Sequence, residues 1–378
     1  MNIKEVAEIR RHIRRDRSNM TAIYGCYVND NQEIVSEFRR STGMMSENEG
    51  DKYFSTMRKA LSGTIGKNLI DISFKTAQVV NSPEHKLLMD LRKTNLEEVE
   101  LRMAFYQKVI QSVSLDQAYL ILLGCDSYDV PFKKDQSEET FKFLLCAVCP
   151  VKMTKPTLHY VPEEKLFHDG GITNVVGSPE LGFLFPAFDD RATNIYNALY
   201  YTRSDKESHE SFAQAIFQTP IPKPAFTQKK SFEAILGKAL ANECSMEVVQ
   251  TVHEQLSQRI ALHKESKVPE ALLISKEDVK DVLSGCGISE KGMAKFSVDY
   301  DEEFGFEADV YPKNIIDEKR FEIKTPDVSI KVAPDRLDLV ETRVIGGVKY
   351  ILINAQEDVE VNGVSIHIRD ENTVTAEV

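Results

Sequence analysis

Two groups of residues carry types and spacings that could do chemistry. Asp126, Tyr128 and Asp129 follow an apolar run at 118–124, and Asp189, Asp190 and Arg191 follow another at 175–188. Carboxylates delivered to strand ends by a rigid sheet can bind a divalent metal or act as general acid and base. An arginine beside them could hold an anionic group through its planar fork. The same residue types also cap turns and pair with arginine, which is their commoner role. A site therefore requires Asp126 or Asp129 to meet Asp189 or Asp190 in one cleft. Without that, they hold turns.

The familiar motifs give nothing stronger. Gly63-Thr64-Ile65-Gly66-Lys67-Asn68 is a poor phosphate loop. Leu61 stands where the first glycine belongs, Asn68 replaces the metal-binding hydroxyl, and a helix rather than a strand precedes it. A structural turn is expected there. Asp299, Asp301 and Glu303 begin like a calcium loop, but Phe304 occupies the glycine position and Val310 the bidentate acid position. Cys146 and Cys149 form a lone CxxC inside an apparent strand. Residues three apart on a strand face opposite ways, so these thiols cannot share a zinc ion unless the strand bends. Cys26 and Cys125 also fall in expected strands, which leaves a four-thiolate site as a remote alternative to inert core cysteines. There is no GxSxG elbow and no HExxH. No cofactor and no metal are expected.

Charge narrows the partners. The formal net charge of the 378 residues is −12, which repels nucleic acid and anionic membrane. The exception is local: Arg10, Arg11, Arg14, Arg15 and Arg17 crowd an N-terminal helix expected over 2–17. Ile3, Val6, Ile9 and Ile13 form its apolar stripe, so the expected role is docking, with a phosphate- or RNA-contacting face as the alternative. No apolar run reaches the length of a membrane span, and no apolar signal core is expected near the N-terminus. Six cysteines in a chain this long read as reduced thiols, which places the expected location in the cytoplasm.

The elements that must position these residues are strands. Four short apolar segments, 118–124, 141–151, 175–188 and 195–202, follow one another with little between them. Antiparallel neighbours are therefore expected rather than helical crossovers. Two more strands flank Asn29-Asp30-Asn31. Ser46 and the Ser82-Pro83-Glu84 start signal open helices. A further amphipathic helix carries Leu96, Val99, Met103, Tyr106, Ile110 and Val113. The expected class is α+β, with a mixed, mainly antiparallel central sheet and packed helices over 1–218.

Pro220, Pro222 and Pro224 mark an expected linker over 219–230. A helical segment follows over 231–298, with Met246, Val249, His253, Leu256, Ile260 and His263 as one seam of its longest helix. Ser275 and Asp278 form a capping box. An acidic connector is expected over 299–320. A small all-β module completes the chain over 321–378, marked by the turns Gly346-Gly347 and Asn362-Gly363.

Leu61–Asn68, the run Leu145-Cys-Ala-Val-Cys-Pro-Val-Lys152 with Lys155-Pro156, and the run Val176-Gly-Ser-Pro-Glu-Leu-Gly-Phe-Leu-Phe-Pro-Ala-Phe188 resemble a bacterial family catalogued as domain of unknown function 4317. The resemblance extends over most of the chain, to the hairpin at 344–353. It implies a bacterial cytosolic protein and brings no catalytic or binding residue with it. Absent catalytic motifs and three differently built parts favour a non-enzymatic binding or adaptor protein, with a protein or small molecule as partner. The alternative is a hydrolase or nucleotide-handling enzyme using Asp126, Asp129, Asp189, Asp190 and Arg191.

Overall fold

The computed structural model describes residues 1–131, 140–204, 209–266, 268, 270–306, 308–318, 320–355 and 359–366. The class is α+β. The chain divides into two units, Met1–Gln228 with Lys267–Ala271, and Lys229–Ser266 with Leu272–Val378.

The first unit opens with α1 (Ile3–His12), the hairpin β1 (Ala22–Val28) and β2 (Ile34–Ser41), and α2 (Glu47–Lys59). Then come β3 (Leu69–Ser73), α3 (Thr76–Asn81), α4 (Pro83–Lys93) and α5 (Val99–Ser112). The central strands are β4 (Tyr119–Asp129) and β5 (Thr140–Met153). A ribbon of β6 (Leu158–Val161) and β7 (Leu166–Asp169) follows, and β8 (Asn174–Val176) pairs with the end of β5. The unit is completed by β9 (Leu181–Phe185), β10 (Ala187–Asp189), β11 (Ala192–Asn194), β12 (Asn197–Thr202) and α6 (Glu210–Phe217).

The main sheet runs β2-β1-β4-β5-β9-β12-β3, and each pair is antiparallel. Both of its faces are covered. Side chains alternate along β5, so Leu144, Cys146 and Val148 enter one core while Leu145, Ala147 and Cys149 enter the other. The first core takes Leu88 and Leu91 of α4, Phe105, Tyr106 and Val109 of α5, and Phe212, Ile216 and Phe217 of α6. The second takes Val6 and Ile9 of α1 and Phe54 and Met57 of α2. Burial on both sides is why these strands read as unbroken apolar runs. Close helix approach needs Gly182, where a Cβ would lie 2.4 Å from the Cys146 carbonyl oxygen and 3.0 Å from the Ala60 Cβ.

Several expectations change. The 175–188 run is three strands, because Gly177-Ser178-Pro179 and Pro186, which has no N–H to give a ladder, interrupt it. β4 continues to Asp129, so Asp126 lies inside the strand rather than after it. β3 is an edge strand of the sheet, although its five residues carry no turn signal strong enough to mark it. Leu96 precedes its helix in a positive-φ conformation instead of starting it.

The second unit contains α7 (Ala225–Leu240) from Lys229 onward, α8 (Met246–Ser266), α9 (Lys276–Gly285), α10 (Glu290–Phe304) and the short turn α11 (Pro312–Ile315). α7 begins directly after Pro224, so the extended stretch ends there and 225–230 is helical. On α8 the buried row is Val248, Val252, Leu256 and Ile260, with His253 beside it. His253, Leu256 and Ile260 of the expected seam are buried, while Val248 and Val252 are buried in place of Met246 and Val249, which are half-buried.

The 299–320 stretch is not a connector over its first half. Asp299–Phe304 completes α10, Tyr300 is buried, and Val310, Ile315 and Ile316 join the same core. Its acids are tied to neighbouring helices: Asp299 lies 3.7 Å from Lys238, Asp301 accepts from Lys276 at 2.6 Å, and Glu303 accepts from Ser231 at 2.6 Å. The capping box forms: Asp278 N–H donates to Ser275 Oγ, and Ser275 N–H donates to Asp278 Oδ2 at 2.8 Å.

The C-terminal strands form separate antiparallel hairpins, β13 (Phe321–Lys324) with β14 (Ser329–Val332), β15 (Val340–Ile345) with β16 (Val348–Ile353), and β17 (Val359–Val361) with β18 (Val364–Ile366). Gly346-Gly347 and Asn362-Gly363 all have φ > 0, as type I′ turns demand. The base of this region touches the helices. The Phe321 ring meets His253 edge-on at 5.5 Å, and Gln250 Nε2 donates to the Leu337 carbonyl. Residues 367–378 of the expected module lie outside the described residues.

Candidate functional site

Both candidate groups are brought to the N-terminal helix. α1 starts on Asn2, whose side chain accepts from Lys4 N–H and Glu5 N–H, while Glu5 Oε2 accepts from Asn2 N–H at 2.7 Å. This reciprocal cap fixes the first turn. Val6, Ile9 and Ile13 are buried, but Ile3 is 75% exposed, so the apolar stripe is one residue shorter than its periodicity suggests. The helix stops at His12, which leaves Arg14, Arg15 and Arg17 in the following loop. Arg15 pairs with Glu47 at 2.7 Å, Arg14 and Arg17 both approach Asp16, and Arg11 Nε donates to the Ala7 carbonyl. Arg10 is half-buried.

Asp126 holds the turn after α1. Its Oδ2 accepts from Ser18 Oγ at 2.6 Å, and its Oδ1 accepts from Asn19 N–H at 2.9 Å. His12 Nε2 lies 3.3 Å from Oδ2, and the His12 ring leans on Tyr128 at 4.9 Å between centroids. Tyr128 donates its hydroxyl to Glu8 Oε1 at 2.6 Å. Burial, then the neighbouring Glu8 carboxylate, push this phenol up to about 12. Asp129 sits opposite Thr140 in the β4–β5 ladder and accepts from its hydroxyl at 2.9 Å.

The second group sits on the β10–β11 hairpin. Asp190 (φ 50) and Arg191 (φ 63) are its two central residues, between the paired Asp189 and Ala192. Two left-handed residues are what a type I′ turn requires, and Asp tolerates that region because its side chain is short and polar. Arg191 does not pair with an acid of its own turn. Its Nη1 donates to Glu8 Oε2 at 2.6 Å, and its Nη2 to the Pro131 carbonyl at 3.3 Å. Asp189 Oδ2 accepts from Asn194 Nδ2 and Asn197 Nδ2, while its Oδ1 lies 2.7 Å from the Met1 α-ammonium. Asp71 Oδ1 approaches the same ammonium at 2.9 Å. Nearby, burial raises the Glu5 carboxyl above its ordinary range, only partly offset by the Asn2 hydrogen bond and the ammonium charge.

The two groups are therefore joined through Glu8, which receives Tyr128 from one and Arg191 from the other. Sequence reasoning missed Glu8, His12, Asp71 and the Met1 ammonium. The available signal was slight: Asn2-x-x-Glu5 is a capping pattern, and Glu8 and His12 share a helix face four apart.

The cysteines divide as strand geometry demands. Cys146 lies in one core with Cys26, and Cys149 in the other. Burial pushes the Cys26, Cys125 and Cys149 thiols up to about 12 and Cys146 well above its ordinary value. Among the described residues, no three His, Cys, Asp or Glu side chains converge in a metal-holding group, and no helix is long and apolar enough to cross a membrane. The loop at 63–68 is a turn: Asn68 Oδ1 accepts from Thr64 N–H, and its Nδ2 donates to the carbonyls of Thr202 and Arg203.

A family model described as "Domain of unknown function (DUF4317)" matches residues 1–364. No curated protein matches the chain.

Proposed function

We propose that this chain, which belongs to the DUF4317 family, is a non-enzymatic binding or adaptor protein of the bacterial cytosol. The observation that carries this reading is the commitment of the candidate polar residues to structure. Asp126 holds the loop after α1, Asp189 holds the Met1 ammonium and two asparagines, and Arg191 with Tyr128 holds Glu8. A catalytic carboxylate needs lone pairs facing substrate, whereas these face their own fold. The first unit reads as a rigid frame, and the β6–β7 ribbon offers contact surface to a protein partner. Leu158, Tyr160, Leu166 and Phe167 are all exposed on it, and a two-stranded ribbon cannot bury its own side chains.

The experiment is affinity purification of the tagged chain from its native host, with mass spectrometry of co-purifying protein, RNA and small molecules. A Tyr160→Ser/Phe167→Ser variant is run beside it. The expected result is a stoichiometric protein that is lost with the variant at an unchanged melting temperature. A hydrolysed substrate whose turnover disappears in Asp189→Asn or Asp126→Asn, with folding intact, would replace this reading with the enzymatic one.

A further inference from the structure

We propose that β15 is a homodimerisation edge: it pairs antiparallel with β15 of a second copy of the chain, about a two-fold axis at Thr342. Among the described residues, β15 has a ladder partner on one side only, β16. From Glu341 to Ile345 its side chains are exposed on both faces of the hairpin, including Val344 at 69%, and only Val340 at its base is buried. A lone two-stranded hairpin with exposed apolar residues and no proline on its edge is a template for another strand.

The register follows from the hairpin itself. Ile345 and Val348 close the two-residue turn and form a hydrogen-bonded pair, so the backbone groups of Ile345, Arg343 and Glu341 point toward β16. Those of Val344, Thr342 and Val340 point the other way, to the open edge. Val340 N–H is already bonded to the Leu337 carbonyl, which leaves its own carbonyl to that edge. An antiparallel copy centred on Thr342 thus places outward backbone groups opposite outward backbone groups. Thr342 meets Thr342, and Val344 N–H meets the Val340 carbonyl of the other copy.

The side chains are palindromic in the same register. Val340-Glu341-Thr342-Arg343-Val344 read against itself sets Val340 opposite Val344 and Glu341 opposite Arg343, twice over. Glu341 and Arg343 fall at non-hydrogen-bonded positions, where facing side chains are closest. They already reach each other within one strand, with Arg343 Nη2 2.9 Å from Glu341 Oε1. The competing edge lacks this property. Pairing β16 about Ile351 would set Lys349 against Ile353 and Tyr350 against Leu352, with no charge matched. One short strand buries little area, so the dimer is a weak, concentration-dependent one.

The test is sedimentation velocity of the full chain from the micromolar to the millimolar range. Wild type should shift from monomer to dimer. Arg343→Glu sets carboxylates against carboxylates, and Glu341→Arg sets guanidinium against guanidinium, so each alone should weaken association at least about tenfold. An equimolar mixture of the two variants restores every opposite-charge pair and should dimerise again. That recovery also shows that both variants remain folded. A wild type that stays monomeric throughout, a single reversal that keeps the wild-type shift, or a mixture that fails to associate would each overturn the proposal.

Discussion

Arg191 and Glu8 lie 183 residues apart in sequence and meet at 2.6 Å. The contact ties the β10–β11 turn to the N-terminal helix, and Tyr128 completes it by donating to the other oxygen of the same carboxylate. One side chain therefore locks α1 against two strands.

Replacing Glu8 should cost more than replacing Arg191. Glu8→Ala leaves the Tyr128 hydroxyl without its acceptor and should destabilise by about 1–3 kcal/mol. Arg191 is nearly half exposed and solvent-screened, so Arg191→Gln should cost no more than about 1 kcal/mol. Urea midpoints of the two variants and of their combination measure this. Equal losses for the two single variants would show that Glu8 is not the joint.

The apolar stripe of α1 should behave unevenly. Ile9→Ala and Ile13→Ala remove fully buried side chains and should each cost about 2–4 kcal/mol. Ile3→Ala should stay within about 0.5 kcal/mol, because Ile3 faces solvent. Thermal melts of the three variants separate the outcomes, and a comparable loss at Ile3 would place the stripe wrongly.

The β10–β11 turn gives a backbone test. Asp190→Gly fits φ 50 without strain and should be neutral or slightly stabilising, whereas Asp190→Val should cost about 1–3 kcal/mol. If valine were tolerated as well as glycine, the turn geometry would not be what matters at this position.

Glu5 predicts a pH dependence. Burial raises its carboxyl above 4.5, so the fold binds this proton more tightly than the unfolded chain does. Its stabilising contribution is fully present below the unfolded pKa and is lost as pH rises through the folded one. Wild-type stability should therefore contain a component that declines as pH climbs above about 4.5. Glu5→Gln keeps the capping pattern and should remove that component. Chemical denaturation across the acid range compares the slopes, and identical slopes would refute the assignment.

Tyr300 discriminates a packed helix from a loose connector. It is fully buried and donates to the Ala308 carbonyl at 3.1 Å. Tyr300→Ala should cost about 3–5 kcal/mol, measured on the second unit's transition. A loss near zero would restore the connector.

The sequence by itself determined what depends on neighbours along the chain. Ser46 and Ser82 cap their helices, Ser275 and Asp278 form their box, and the Gly346-Gly347 and Asn362-Gly363 turns close their hairpins. The alternation of Cys146 and Cys149 between two cores also followed from strand geometry alone. Each of these is a local consequence of backbone sterics and side-chain reach. The tertiary structure decided the rest. An apolar run does not say which helix will cover it, so the burial of Val248 and Val252 on α8 and the exposure of Ile3 could not be read from periodicity. An acidic stretch looks like solvent-facing chain until an aromatic such as Tyr300 finds a core on its other side. The partners of the candidate residues were hidden for the same reason. Asp126 holds a loop 107 residues before it, and Arg191 and Asp189 reach back to Glu8 and Met1. Such pairings are fixed by the order in which antiparallel strands assemble, and no spacing within the sequence encodes that order.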